Sequence, residues 1–321
     1  MTGANSIVAV IRTTGERTFE VSKGLLEQQL TSDAVVVVSE APFEAALKRT
    51  YEVGVERNAR WTLTLDADVL LRKGAIDQLR AAAEQMPANA FELQGRVHDK
   101  MLGTYRRAGP RVYRTEYLHH ALRQIPEPGA EIRPERVTVA RMKALGWPSL
   151  RIELVAGVHD YEQSFRDIYR KCFVHAAKHL ELMPHFMLRC KTLAPIDPDF
   201  LVALRGIYDG LMHVGDVRID NEAFPKDISD MLSELGLTEK SPLSANAIGS
   251  VDVRRLIREA GPAPVFEGAQ PPPASWPFLR SQMRRRLRES GFVGFTLWAA
   301  GASMCRAGNS LKTRGGRYRV R

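Results

Sequence analysis

Three short apolar, β-branched runs near the start of the chain, Ile7–Ile11, Ala34–Val38 and Trp61–Leu65, constrain its fold more than any other feature. Between them lie stretches with helical spacing, Phe19, Leu25, Leu26 and Leu30 in the first, Phe43, Ala46, Leu47, Tyr51 and Val55 in the second. Apolar runs without polar alternation belong to strands buried on both faces, the usual state of parallel sheet. Strand and helix alternating in this order require right-handed crossovers, which place helices against the sheet. The expected fold is α/β and Rossmann-like, a mostly parallel sheet flanked by helices.

The pattern continues with a helix from Gly74 to Gln85, β sections at Phe91–Val97 and Val112–Arg114, a helix from Glu135 to Leu145 stopped by Gly146, and a strand Leu150–Val155. Beyond Tyr161 the chain turns mostly helical, with amphipathic stretches at Glu162–Leu182, Asp199–Val214, Lys226–Leu235 and Val251–Ala260. Pro262–Pro277 is a proline-rich linker. The expected organisation is an α/β sheet domain over residues 1–161, a helical region over 162–262, and a linker with a basic, apolar tail over 263–321.

The formal charge of +9 on 321 residues is confined to that tail. Pro271 to Arg321 carries 11 Lys and Arg against Glu289 alone, whereas residues 1–270 hold 35 basic and 36 acidic side chains. A neutral body without a stripe of aromatics among basic residues does not suit nucleic acid. The tail suits an anionic membrane surface instead. Gly291–Cys305 is 15 residues without a charge, short of the roughly 20 needed to span a bilayer, and arginines flank it. Three cysteines without a CxxC pairing, and no charged-then-apolar leader before Ile7, set the expectation of a cytoplasmic protein, peripheral at the inner face of the membrane.

In a parallel sheet ligands gather beyond the carboxyl ends of the strands. Arg12 to Arg17, Ser39-Glu40 and Asp66-Ala67-Asp68 all fall there. Two carboxylates two residues apart, leaving a buried strand for a loop, can hold Mn2+ or Mg2+ against a diphosphate. The same tripeptide also suits simple capping of the next helix.

Across about residues 6–165 the chain resembles the family 2-like glycosyltransferases of the GT-A fold. The resemblance is carried by the opening strand with Thr13-Thr14, the second strand ending at Glu40, and the third ending in Asp66 and Asp68. Further along, Pro134-Glu135, Arg141, Gly146 and His159 keep the family's helix, glycine, strand and histidine spacing, although Pro134 stands where the family has an acid. The resemblance implies that Thr13, Thr14, Arg17 and Glu40 contact the nucleoside, that Asp66 reaches the ribose or metal, and that Gly109 leads a strand beneath the donor sugar. It further implies Asp68 and His159 as metal ligands and Glu135 as the general base of an inverting transfer.

A rival assignment in the same fold makes Asp160 the base, with His175 or His179 as ligand. The segment from Gln163 to Arg166 is similar to a Gln-x-x-Arg element that touches the diphosphate in processive members, without the tryptophan that follows there. The implied activity is transfer of a sugar from a nucleotide-diphosphate donor to a glycan or lipid-linked acceptor. The alternative is a catalytically degenerate nucleotide-sugar-binding or scaffold protein, which Pro134 favours. His98-Asp99 and His119-His120 are expected as surface residues.

Overall fold

In a computed structural model, residues 7–131, 133–178, 183–213, 224 and 227–261 are described. The 263–321 tail, His179 and the far end of the expected 162–182 helix lie outside them. Among the described residues two compact units are present, 7–164 with 240–261, and 165–213 with 224 and 227–239.

The first unit is built on one eight-stranded sheet. The expected runs form β1 (Ile7–Arg12), β2 (Val35–Val38) and β3 (Trp61–Asp66), all parallel, with β1 between the other two. The sheet continues from β3 through β7 (Arg111–Arg114), β5 (Glu92–Asp99) and β8 (Ser149–His159) to β4 (Val69–Leu71), and β6 (Thr104–Arg106) pairs with β5. Strands β5 and β8 are parallel to each other, and β7, β6 and β4 run antiparallel to their partners. The sequence reading missed β4 and β6, three residues each and too short to show a period.

Helices α1 (Phe19–Glu27), α2 (Phe43–Arg57), α3 (Ala75–Glu84) and α5 (Pro134–Ala144) follow the expected order, and the short α4 (Leu118–Leu122) is an addition the sequence reading did not contain. Side chains alternate across the sheet as the period of two demands. Ile7, Ala9, Ile11, Leu63, Leu65 and Val112 enter one core with Leu79 of α3, while Tyr113 and Phe91 enter another with Leu47 and Tyr51 of α2 and Met142 of α5. At Gly54 a Cβ would overlap Leu118 Cδ1 and Thr62 Oγ1, so only glycine lets α2 lie this close to β3. The last described helix, α10 (Ser250–Glu259), packs Val253 with Val21 and Leu25 of α1 and Leu70 of β4. It therefore belongs with the sheet, not with the helices that precede it in sequence.

The second unit contains α6 (Phe165–Lys178), α7 (Met183–Leu193), α8 (Pro198–Met212) and α9 (Ser229–Glu234). Asp197 caps α8 by accepting the Asp199 N–H at 2.9 Å, and Pro198 opens its first turn. Gly206 and Gly210, one turn apart, face the Tyr169 and Phe173 carbonyls of α6 with no room for a Cβ. That small face explains how two long helices pack backbone to backbone.

Candidate functional site

The turn Asp66-Ala67-Asp68 joins the end of β3 to β4 and lies beside the carboxyl ends of β1 and β8. Register places Arg12 opposite Asp66 and His159 opposite Val69. The turn is fastened from below. Ala67 N–H donates to the Arg12 carbonyl, the Thr18 hydroxyl to the Ala67 carbonyl at 2.7 Å, and the Ser22 hydroxyl to the Val69 carbonyl at 2.8 Å. Gln163 Nε2 in turn donates to Thr18 Oγ1 at 2.9 Å. A loop held by this many buried bonds presents its two carboxylates from a fixed backbone.

On the Asp66 side the partners are guanidinium groups. Arg12 Nε donates to Asp66 Oδ1 at 2.8 Å and Arg12 Nη1 to Glu135 Oε1 at 2.9 Å. Tyr113 Oη donates to the same Glu135 oxygen at 2.9 Å, and Arg111 Nε lies 3.0 Å from Glu135 Oε2. Arg111 also pairs with the fully buried Glu92. Phe43 covers the Arg12 guanidinium, 4.9 Å from ring centroid to Cζ. Burial alone would raise the Glu135 pKa, but Arg111, Arg12 and the Tyr113 hydrogen bond outweigh it and hold it at about 2. Glu135 is thus ionised with both oxygens engaged. Asp66 keeps 42% of its side chain exposed.

On the Asp68 side the partner is an imidazole. His159 Nε2 lies 3.5 Å from Asp68 Oδ2, and Nδ1 lies 3.0 Å from both Asp99 Oδ2 and Asp160 Oδ2. Desolvation disfavours the imidazolium, yet the carboxylates of Asp160, Asp68 and Asp99 overcome it and push the His159 pKa up to about 10. Asp160 leaves β8 in the left-handed region at φ 62°, and Glu162 follows at φ 56°. Two non-glycine residues in that region, separated only by Tyr161, mark a backbone held for a purpose other than regular structure.

Ligand atoms of Asp68, His159 and Asp160 all lie within 4.8 Å of one another. Carboxylate oxygens with one ring nitrogen make a donor set that Mn2+ or Mg2+ accepts. Asp66 does not join this group, because Arg12 holds it.

The remaining expected residues distribute as follows. Thr13 N–H donates to the Val38 carbonyl, and the Thr13–Glu16 loop closes on itself: Glu16 accepts from the Thr13 hydroxyl, the Thr14 N–H and the Thr14 hydroxyl at 2.7, 2.8 and 3.0 Å. Arg17 donates to the Ser241 carbonyl at 2.7 Å and to Glu162 at 2.9 and 3.0 Å. Glu40 is exposed beyond β2. Gly109, at φ 126°, packs against Val69 and Val97, so a side chain there would press on the residue next to Asp68. Arg166 opens α6 in the second unit, where its N–H donates to Glu239 at 3.0 Å. His175 also lies in α6.

His98 and Asp99, expected at the surface, are buried instead, with His98 against the Tyr161 hydroxyl at 3.1 Å. The β section expected to stop at Val97 runs on to Asp99, which carries both residues into the interior. Sequence reasoning also gave no role to Arg12, Arg111 and Glu92, whose signal is a charge at a strand terminus: Arg12 closes β1, Arg111 opens β7 and Glu92 opens β5. Such charges are almost never buried without a partner.

No family profile and no curated protein matches this sequence. Among solved structures, a mannosyltransferase from Pyrobaculum calidifontis in complex with GDP-Man and Mn2+ is 11% identical with a TM-score of 0.37, over 94% of this chain and 88% of that one. A glycosyltransferase involved in glycosylation of the PBCV-1 major capsid is 15% identical at TM-score 0.34, over 46% and 81% of the two chains. A CMP:2-keto-3-deoxy-manno-octonic acid synthetase complexed with CTP is 15% identical at 0.31, over 47% and 90%. At these TM-scores the likeness is distant.

Proposed function

We propose that this chain is a glycosyltransferase of GT-A type, moving a sugar from a nucleotide-diphosphate donor to a hydroxyl of a glycan or lipid-linked acceptor. The observation that carries the reading is the Asp68, His159 and Asp160 cluster, placed by a fastened turn at the carboxyl ends of the sheet. Asp68 and His159, with Asp160 within reach, would hold a divalent cation. Bound there, the cation would neutralise charge on the departing diphosphate. Thr13, Thr14, Arg17 and Glu40 line the nucleoside side in this reading, Asp66 reaches the ribose, and Gly109 leads the strand beneath the donor sugar.

Glu135 and Asp160 share the candidacy for proton acceptor, and the two guanidinium partners of Glu135 favour Asp160. A carboxylate held at about 2 by two guanidinium groups takes a proton poorly at neutral pH. In this reading Glu135 fixes Arg12 and Arg111, and Asp160 accepts the proton of the acceptor hydroxyl. The occupied state of Glu135 also favours a second reading, a module that binds the nucleotide sugar without turning it over. Hydrolysis of donor in the presence of manganese would exclude that alternative.

The direct test is a thermal-shift series with UDP-, GDP-, CMP- and dTDP-sugars, with and without Mn2+. A ligand that binds only the native state raises its stability with the logarithm of its excess over Kd. One nucleotide sugar should raise the Tm, and more so with Mn2+. No shift from any of them would sink the reading. Among the described residues no helix is long and apolar enough to cross a membrane. Contact of the 263–321 tail with anionic lipid rests on its sequence, and co-sedimentation with anionic against neutral vesicles tests it.

A further inference from the structure

One carboxylate at the His159 cluster has no part in the reaction proposed above. Asp99 ends β5 directly opposite His159 and is 1% exposed. Its Oδ1 accepts the Leu102 N–H at 2.8 Å, and its Oδ2 lies 3.2 Å from Arg106 Nη1 and 3.0 Å from His159 Nδ1. Donors from three directions leave this carboxylate a single orientation. Asp160 Oδ2 lies at the same 3.0 Å from Nδ1, on the left-handed bend that follows β8. The other ring nitrogen, Nε2, faces Asp68.

A histidine offers a lone pair from one nitrogen only while the other carries the proton. A fixed carboxylate accepting that proton sets both the tautomer and the plane of the ring. We propose that Asp99 is the positioning residue for His159: it takes the Nδ1 hydrogen bond and directs Nε2 toward Asp68 and the cation. The inference rests on the cation reading of this site. Capping of the turn after β5 and pairing with Arg106 explain two of the three Asp99 contacts. They do not explain why the third is an imidazole whose far nitrogen faces the aspartate turn.

The test measures binding of Mn2+ alone to the full-length protein, by calorimetry or by the EPR signal of free Mn2+, together with the Tm of each variant. Asp99→Ala should weaken Mn2+ binding about ten- to a hundredfold, the usual range for such outer partners. Asp99→Asn keeps an acceptor oxygen for Nδ1 and should restore most of that loss. A folded Asp99→Ala protein with lowered Tm and wild-type Mn2+ affinity would overturn the proposal, since that is the mark of a purely structural cap. Should Asp99→Ala fail to fold, Asp99→Ser decides, because its hydroxyl can still accept the Leu102 N–H but is too short to reach His159 Nδ1. A weakened affinity supports the positioning role, and an unchanged one overturns it. Wild-type protein that binds no Mn2+ would overturn the cation reading itself, and this proposal with it.

Discussion

The two sides of the Asp66-Ala67-Asp68 turn hold similar numbers of charges and differ in what balances them. Asp66, Glu135 and Glu92 face Arg12 and Arg111, whereas Asp68, Asp99 and Asp160 face Arg106 and His159. Guanidinium groups stay charged at any pH the protein meets, so the first side keeps its counter-charge permanently and is fixed. An imidazole can surrender its proton, so part of the positive charge on the second side is exchangeable for a metal ion. Two aspartates separated by one alanine therefore have different uses. In the proposed reading Asp66 belongs to the framework and offers its exposed part to a ligand, and Asp68 to the cation site.

The comparison is broken most severely at Asp160. If it is the proton acceptor, Asp160→Asn should lower turnover by about two to four orders of magnitude with donor affinity nearly unchanged. Glu135→Gln should lower turnover of the folded protein far less. Steady-state kinetics of both variants decide it, and the reverse ranking would return Glu135 to the role implied by the resemblance.

Next in size is the loss of the permanent side. Arg12→Met leaves Asp66 and Glu135 without their shared cation and should cost about 3–5 kcal/mol, the range for breaking one partner out of a buried pair. Urea unfolding measures it. A change under about 1 kcal/mol, the size of a surface pair, would mean the network is not the framework described.

Acid sharpens the same point. The Glu135 pKa is depressed from 4.5 to about 2 in the folded protein. Its contribution is therefore complete above the unfolded value and is lost as pH falls through about 2. The stability gap between wild type and Glu135→Gln should shrink from pH 5 toward pH 2 in urea titrations. A gap that is constant over that window would show Glu135 is not held ionised by its arginines.

The smallest effect serves as a control away from both sides. Gly54→Ala forces a Cβ into Leu118 and Thr62 and should cost about 1–3 kcal/mol by overpacking. Mn2+ affinity of the folded variant should not change. A lost affinity would mean the site depends on the α2 packing more than on its own carboxylates.

Much of the framework was legible because apolar period and length announce it. The three opening strands and the helices between them appear where β-branched runs and helical spacing placed them, and Asp66 and Asp68 leave β3 as expected. The two short strands carried no such signal, because three residues cannot display a period. Partners were the harder problem. Arg12 ends one strand, Arg111 opens another and Glu135 opens a helix, and only the crossovers bring them together across 123 positions of sequence. Asp99 was misread for a related reason: a polar pair at the end of a strand looks solvated until β8 is laid beside it.

The assignment of the cation to the Asp68 side is tested most directly by Mn2+ titration of wild type, Asp66→Asn and Asp68→Asn in the presence of a nucleoside diphosphate. Asp68→Asn should weaken Mn2+ binding by at least about tenfold, as expected when a direct charged ligand is lost, while Asp66→Asn retains nearly wild-type affinity. Loss in Asp66→Asn equal to or greater than that in Asp68→Asn would contradict the division of the two aspartates.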